Sequence, residues 1–165
     1  MAEAEHSLSA LDWFVVYLFF DALIGNVDRR SSNWALEFDW SDPKDPCVRL
    51  APSFDHASSL GVSMRHRGLE RLAANPDGFR TYPFKAKATR FEDGINASLV
   101  DHACTYLRFC TADGRAFLDR QFLQPPLNAI SLIIESAKLS PAITTLANTI
   151  ITTNAERIAQ CLSQR

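Results

Sequence analysis

The chain has 165 residues, of which 47% are hydrophobic and 22% charged, and its formal net charge is −2 at pH 7. This length and composition predict a single globular domain over residues 1–165, large enough to bury a core of its own. The nearly balanced charge argues against direct binding to nucleic acid and against binding to an anionic membrane surface.

The first predicted element is a helix over residues 9–24. These residues are apolar nearly all round, which is typical of a helix buried on most sides. Ser7 or Ser9 is a suitable amino-terminal cap, and Gly25 suits the carboxyl end. The segment contains Asp21 and is shorter than the roughly 20 apolar residues of a membrane span. We therefore predict the central helix of a domain and no membrane-spanning segment.

Residues 34–38 and 48–50 are predicted to form the two strands of a hairpin. The first tract is mostly apolar with aromatic ends, and residues 42–46 contain the Asp and Pro residues typical of a turn. Such a hairpin would bring Asp55, which follows the second strand, back beside Asn33, which precedes the first.

The rest of the chain is predicted to be helical, apart from an irregular and basic segment over residues 79–92. Asn96 is the predicted cap of one of these helices, and Asp113-Gly114 is a predicted break. The basic segment is either a solvated loop or a substrate-docking segment. The predicted helices are residues 63–75, 97–110, 115–123, 125–137 and 140–162.

The cysteines and the amino terminus both bear on cellular location. The chain contains no CxxC or zinc-ligand spacing, so we predict reduced thiols in a cytoplasmic protein. The acidic residues Glu3 and Glu5 stand where a secretory signal would be basic. The four cysteines are Cys47, Cys104, Cys110 and Cys161.

His66 and His102 are predicted to be surface residues.

Three polar residues follow one another in an order that suits phosphoryl transfer. Asp28 and Asn33 are five residues apart, and Asp55 comes 22 residues after Asn33. Phosphoryl transfer needs positioning and charge neutralisation, which a carboxylate near the acceptor hydroxyl and a magnesium ion on the phosphates of ATP provide. Magnesium prefers hard oxygen ligands and takes one or two from the protein. Asp28 therefore suits the base, and Asn33 and Asp55 suit the metal.

The same residues carry a resemblance to a known family. The tracts are Asn26-Val27-Asp28-Arg29-Arg30, then Asn33-Trp34 after two serines, then Leu50-Ala51-Pro52-Ser53-Phe54-Asp55-His56. They resemble the catalytic core of the HipA-like serine/threonine kinases, which are related to the phosphoinositide-kinase branch of the protein-kinase fold. That family's pattern is Asn-Thr-Asp-Arg-His, two variable residues, Asn-Trp, and later Leu-Ala-Pro-x-x-Asp-His. The resemblance covers residues 11–61 closely.

The resemblance implies a mainly α fold with a small β-hairpin, that of a protein-kinase-like carboxy-terminal lobe. It implies that Asp28 is the catalytic base, and that Asn33 and Asp55 bind Mg²⁺ and through it ATP. The implied activity is transfer of the γ-phosphoryl of ATP to a serine or threonine hydroxyl of a protein substrate. His56 is expected to orient the metal loop by hydrogen bonding.

The sequence departs from the family pattern in two ways. Arg30 stands where the family often has His, and Val27 where it has Thr. An arginine beside the base is expected to pair either with a phosphate or with Asp28 itself. The residues before Asp28 are too few for a kinase amino-terminal lobe, with its phosphate-covering loop and lysine. We expect that lobe to be a separate chain or to be absent.

Two alternatives to a protein kinase remain open from the sequence. The first alternative is a truncated or inactive lobe that serves as a protein-binding module, for example for a helix-turn-helix antitoxin of the kind associated with the family. The second alternative is a phosphoinositide or small-molecule kinase lobe, because it would use the same three residues. Asp28 and Asn33 also have a purely local explanation, since Asp and Asn stabilise turns.

Overall fold

The computed structural model describes residues 8–44 and 46–164, and this part of the chain is mainly helical with one two-stranded antiparallel sheet. The predicted fold class, mainly α with a small hairpin, is confirmed at this level. Ser7, Glu3, Glu5 and Asp45 lie outside the described residues. The elements are α1 (Ala10–Ile24), β1 (Leu36–Asp39), β2 (Cys47–Leu50), α2 (His66–Ala73), α3 (Gly78–Thr81), α4 (Leu99–Tyr106), α5 (Ala112–Phe122), α6 (Leu127–Ser136) and α7 (Pro141–Ser163).

Helix α1 is the central element of the core, as its composition predicts. Ser9 caps it and forms a capping box with Asp12. Gly25 ends it in the left-handed conformation, with φ 67°, which costs glycine little. Val15 and Phe19 are fully buried. No helix among the described residues combines the length and hydropathy that a membrane crossing requires.

Helix α7 is the second long element of the core and packs against α1, α4 and α6. Ser140 caps it as predicted, with proline in the first turn. Asn154 lies on the buried face of α7, and its Nδ2 donates to the main-chain oxygen of Ala22 at 2.7 Å. This bond gives a second, shorter contact to a carbonyl of the last turn of α1, which also accepts from the Gly25 N–H at 3.4 Å. The end of α1, where the loop that carries Asp28 begins, is therefore tied to α7.

The hairpin forms as predicted, with β1 starting two residues later and β2 one residue earlier than expected. Its register pairs Glu37 with Arg49 and Phe38 with Val48. The Glu37–Arg49 pair forms an exposed ion pair on one face. The opposite face carries Leu36, Phe38 and Val48, which are 48–58% exposed. The hairpin thus presents an apolar face that the described residues leave uncovered.

Two predicted helix boundaries are wrong. Ser98, and not Asn96, caps α4 by accepting from the Asp101 N–H. Asp113 and Gly114 lie inside α5, which Thr111 caps, instead of breaking a helix. A Cβ at Gly114 would lie 2.1 Å from Asp12 Oδ1. The glycine is therefore explained by the close approach of α5 to α1 and not by a turn.

The segment over residues 79–92 has more local structure than predicted. It contains the end of α3, the 3₁₀ turn Tyr82–Lys85 and an isolated bridge between Lys87 and Ser98. Ala88 is buried in the middle of the segment. The segment is therefore packed onto the domain at this point rather than free in solvent.

Two predictions about single residue types are also wrong. Cys104 of α4 and Cys161 of α7 form a disulfide, with their Cα atoms 6.5 Å apart, so the prediction of reduced thiols fails for this pair. His102, predicted at the surface, is 2% exposed and bonded to Asp93. Both errors arise because helix packing, and not local sequence, brings Cys104 against Cys161 and buries His102. His66 is exposed as predicted.

We expect Asp12→Ala to lower the free energy of unfolding by about 2–3 kcal/mol, because the variant loses a capping box and leaves polar groups without partners. Asp12 Oδ1 accepts from the Thr111 N–H at 2.9 Å, and Oδ2 accepts from the Thr111 hydroxyl at 3.0 Å. Urea unfolding followed by circular dichroism measures the effect. Asp113→Ala, in the exposed first turn of α5, is the control and should unfold at nearly the wild-type midpoint; equal midpoints for the two variants would contradict the prediction.

Candidate active site

Asp28 lies in the loop that leaves the end of α1, and Asn26 shapes this loop. Asn26 is fully buried; its N–H donates to the Asp21 carbonyl at 2.8 Å, and its Nδ2 donates to Asp21 Oδ1 at 2.8 Å. Its Oδ1 accepts from the Asp28 N–H at 3.2 Å. The backbone of the candidate base is therefore anchored to a buried helix.

Asn33 lies in the 3₁₀ turn Ser31–Asn33 and is bonded to Asp28. Its Nδ2 donates to the Asp28 carbonyl at 2.8 Å, and its Oδ1 accepts from the Ser32 hydroxyl at 3.1 Å. An amide oxygen has two lone pairs, so Oδ1 keeps one for a metal ion. The structure thus brings the predicted base and one predicted ligand together, and it orients the amide through a bond to the main chain of the base.

A buried ion pair between Asp21 and Arg29 lies beneath these two residues. Arg29 Nε donates to Asp21 Oδ2 at 2.6 Å and Nη2 donates to Oδ1 at 2.8 Å, with both side chains 3% exposed. The same guanidinium donates to the Asn33 carbonyl at 2.5 Å and to the Ser53 hydroxyl at 2.7 Å. Arg29 therefore joins α1, the loop of Asp28 and Asn33, and the segment that carries Asp55.

The sequence interpretation missed the role of both members of this pair. From the sequence, Arg29 lies within the family-like tract without an assigned role, and Asp21 only argues against a membrane span. An acidic residue inside a strongly apolar helix is the signal that would have identified the pair, because a buried carboxylate needs a cationic partner.

Asp55 occupies a left-handed backbone conformation, with φ 56°, which is uncommon for a residue other than glycine. It is exposed, and the loop around it is held on both sides. The neighbouring His56 Nε2 lies 2.9 Å from the Ser53 hydroxyl, and the Leu60 N–H donates to the Ile24 carbonyl at 2.8 Å. Strained backbone of this kind concentrates at functional sites, where the surrounding structure maintains it.

His56 makes the kind of contact that was expected of it. Its imidazole bonds Ser53 and lies 3.3 Å from Arg29 Nη2. Burial and the positive charge of Arg29 lower the pKa of His56. The imidazole is therefore neutral at pH 7, which suits a residue that orients a loop by hydrogen bonding.

The common metal site of Asn33 and Asp55 stays a prediction. Among residues 8–44 and 46–164, no three or more His, Cys, Asp or Glu side chains form a group that could hold a metal ion. The predicted set is smaller than that, with one carboxylate and one amide, because magnesium bound to ATP takes its other ligands from phosphates and water. Both side chains offer the oxygen atoms that this ion prefers.

The carboxylate of Asp28 is engaged by two arginines. Arg30 donates to it through Nε, at 3.1 Å from each oxygen, and through a second, shorter bond from Nη2 to Oδ2. Arg90 Nη2 lies 2.7 Å from Oδ1. The hydrogen bonds from Arg30, with its charge and that of Arg90, lower the pKa of Asp28. Pairing of Arg30 with Asp28 was one of the two expectations for that residue and is confirmed.

A cavity of about 170 Å³ lies beside the start of the Asp28 loop, between Gly25, Val27, the 82–86 segment and α7. Ligand pockets usually measure about 300–1,000 Å³, so this cavity is too small to enclose a nucleotide. Asn154 lines it, and its buried Oδ1 has no hydrogen-bond partner in the described part of the chain. The cavity is the right size for a single side chain or a few water molecules.

Arg29→Leu is expected to reduce the free energy of unfolding by about 3–5 kcal/mol, because it leaves the Asp21 carboxylate buried without its cation. Chemical denaturation at neutral pH measures the change. Arg49→Leu is the matched control, since Arg49 forms a similarly short ion pair with Glu37 at 2.7 Å but is 68% exposed. Its midpoint should barely move. A loss as large in the control as in Arg29→Leu would show that burial is not the cause.

Arg30→Gln is expected to raise the pKa of Asp28 towards the ordinary aspartate value, because Arg30 is the largest cause of its lowering. The carboxyl-carbon chemical shift of Asp28 during an acid titration reports the change. Because the pKa of Asp28 is lower in the folded than in the unfolded protein, its ionised carboxylate stabilises the fold at pH values above the unfolded pKa. This stabilisation is lost as the pH falls through the folded pKa of Asp28. Arg80→Gln, which removes an exposed arginine bonded to Asp77, should leave the titration unchanged. An unshifted Asp28 titration in Arg30→Gln would refute the assignment.

Comparisons of this chain with protein-family models, with curated proteins and with solved structures find no match. A function for this chain is therefore argued from the motif resemblance and from the geometry of Asp28, Asn33 and the Asp55 loop.

Proposed function

We propose that this chain is the catalytic lobe of a HipA-like, magnesium-dependent serine/threonine protein kinase that transfers the γ-phosphoryl of ATP to a protein hydroxyl. The observation that carries the proposal is the bond from the Asn33 amide to the Asp28 carbonyl, made within a loop that Arg29 also bonds to the Asp55 segment. The local explanation, in which Asp28 and Asn33 only stabilise a turn, accounts neither for the long-range bond from Arg29 to Ser53 nor for the strained backbone of Asp55.

Asp28 would orient the acceptor hydroxyl and receive its proton. Its lowered pKa keeps the carboxylate ionised throughout the neutral range. A weak base suffices because the transition state of phosphoryl transfer is loose and leaves the protein little covalent chemistry to perform. In this chemistry the protein contributes mainly position, which the anchored Asn26 and Asp28 backbone supplies.

Asn33 Oδ1 and the Asp55 carboxylate would hold magnesium. When bound, the ion would neutralise charge on the phosphates of ATP. The fit of these residues to the ion lies in their chemistry, since both are hard oxygen donors. Asp55 is exposed and makes no hydrogen bond with its carboxylate in the described residues, so its oxygens are accessible.

A second lobe would complete the nucleotide site. The apolar hairpin face of Leu36, Phe38 and Val48 supports this part of the proposal, because an exposed apolar surface of this kind is typical of a docking surface. The phosphate-covering loop and lysine of a kinase amino-terminal lobe would then come from whatever segment or protein covers this face. A protein-binding module that does not bind nucleotide is the second candidate function, and the same exposed face favours it.

Magnesium-dependent binding of ATP tests the nucleotide site. Calorimetric titration with Mg-ATP should give saturable heats for the wild-type chain, and Asp55→Ala should abolish them by removing a metal ligand. Asp113→Ala, which removes a carboxylate of equal charge far along the chain in α5, should bind as the wild type does. Absence of binding at millimolar Mg-ATP in the wild type would favour the protein-binding module.

Asp28→Asn separates binding from transfer. The variant should bind Mg-ATP about as well as the wild type, while phosphorylation, followed by mass spectrometry of the chain and of added protein substrates, falls about 10²–10⁴-fold. Turnover at the wild-type rate in this variant would exclude Asp28 as the base.

A further inference from the structure

We propose that Arg30 and Arg90 form an oxyanion site beside Asp28, which takes a tetrahedral phosphate group. The two guanidiniums approach the same carboxylate from different parts of the chain. Arg30 belongs to the catalytic loop, and Arg90 comes from the basic segment that follows the Asp55 loop. Their side chains are 53% and 47% exposed, so a ligand in solvent reaches them.

Arg90 is held in place by its neighbours rather than by its bond to Asp28 alone. It lies in a tight turn in which the Phe91 N–H donates to the Ala88 carbonyl at 3.0 Å. Ala88 is 2% exposed, and the Phe91 ring lies 4.6 Å from that of His102 and 6.3 Å from that of Phe14. Both ends of the turn are therefore packed on the core, and the turn presents Arg90 to the catalytic loop.

The pair retains donors for a ligand. A guanidinium has five N–H groups in a planar fork. Asp28 uses the Nε and one Nη2 hydrogen of Arg30 and one Nη2 hydrogen of Arg90. No other hydrogen bond from either guanidinium is made within residues 8–44 and 46–164. The unused donors match the geometry of phosphate oxygens, which arginine binds in bidentate fashion.

The charges also favour an anion. Asp28 with its two arginines carries a net charge of +1, so the carboxylate does not neutralise the site. Asp55 acts on Arg30 electrostatically and opposes an added anion. The site should therefore bind phosphate more strongly when the charge of Asp55 is removed.

The phosphate group has two possible sources. It is either the terminal phosphate of a nucleotide, in which case the inference rests on the proposed kinase function, or inorganic phosphate, which needs no second lobe and no metal ion. In the first case Arg90 would stabilise the phosphoryl group in transfer, in the manner of an arginine supplied to a nucleotide site. The chemistry of recognition is the same in both.

Titration with inorganic phosphate in metal-free buffer at constant ionic strength tests the site, with the Nε–Hε signals of the arginines followed by NMR. Saturable shifts are expected for Arg30 and Arg90. Arg90→Gln should weaken phosphate binding at least about tenfold, the scale for losing a charge-assisted contact. Arg80→Gln is the control, because Arg80 lies in the same segment, is 77% exposed and, within residues 8–44 and 46–164, bonds only Asp77; it should bind as the wild type does.

Two further variants keep the test independent of folding and of the kinase proposal. Arg30→Gln should weaken phosphate binding as Arg90→Gln does. If Arg90→Gln has an altered unfolding midpoint, the phosphate affinity of Arg30→Gln tests the site in its place. Asp55→Ala should bind phosphate at least as tightly as the wild type while losing Mg-ATP. Phosphate binding without any Mg-ATP binding would leave the oxyanion site standing and refute the nucleotide source. Absence of phosphate binding, or equal affinity in Arg90→Gln and Arg80→Gln, would overturn the inference.

Discussion

The buried ion pair between Asp21 and Arg29 is the interaction on which the candidate site depends. A buried charge is costly unless it is paired and hydrogen-bonded, and here one guanidinium meets its carboxylate through two donors. Its remaining donors reach the Asn33 carbonyl and Ser53. The central helix, the loop of Asp28 and Asn33, and the loop of Asp55 are thereby tied at one point, so the relative positions of Asp28, Asn33 and Asp55 share a common support.

The site divides into a rigid base and an accessible surface. Asp21, Asn26 and Asn154 are at most 2% exposed and hold the end of α1 and the loop that leaves it. Above them, Arg30, Arg90 and Asp55 remain available to solvent. This arrangement suits phosphoryl transfer, in which fixed positions and accessible charges contribute more than covalent chemistry does.

The sequence predicted elements well where local chemistry decides their ends. Ser9, Gly25 and Ser140 act as caps because their side chain or backbone freedom satisfies a helix end directly. It failed at Gly114, where the glycine serves the approach of α5 to Asp12 and not a turn. It failed again at Cys104, whose partner Cys161 lies 57 residues away. Contacts between distant segments leave no periodic signal in either segment.

The amino-acid sequence by itself determined the helical class, the hairpin, and the order Asp28, Asn33, Asp55, because caps, turns and motif spacing are properties of neighbouring residues. Only the tertiary structure decided that Arg29 links the two loops, that Arg90 reaches Asp28, and that His102 is buried. These are contacts between segments that folding brings together. Burial and pairing of charge depend on that assembly, so the surroundings of a carboxylate such as Asp28 include a distant residue, Arg90, as well as its neighbour Arg30.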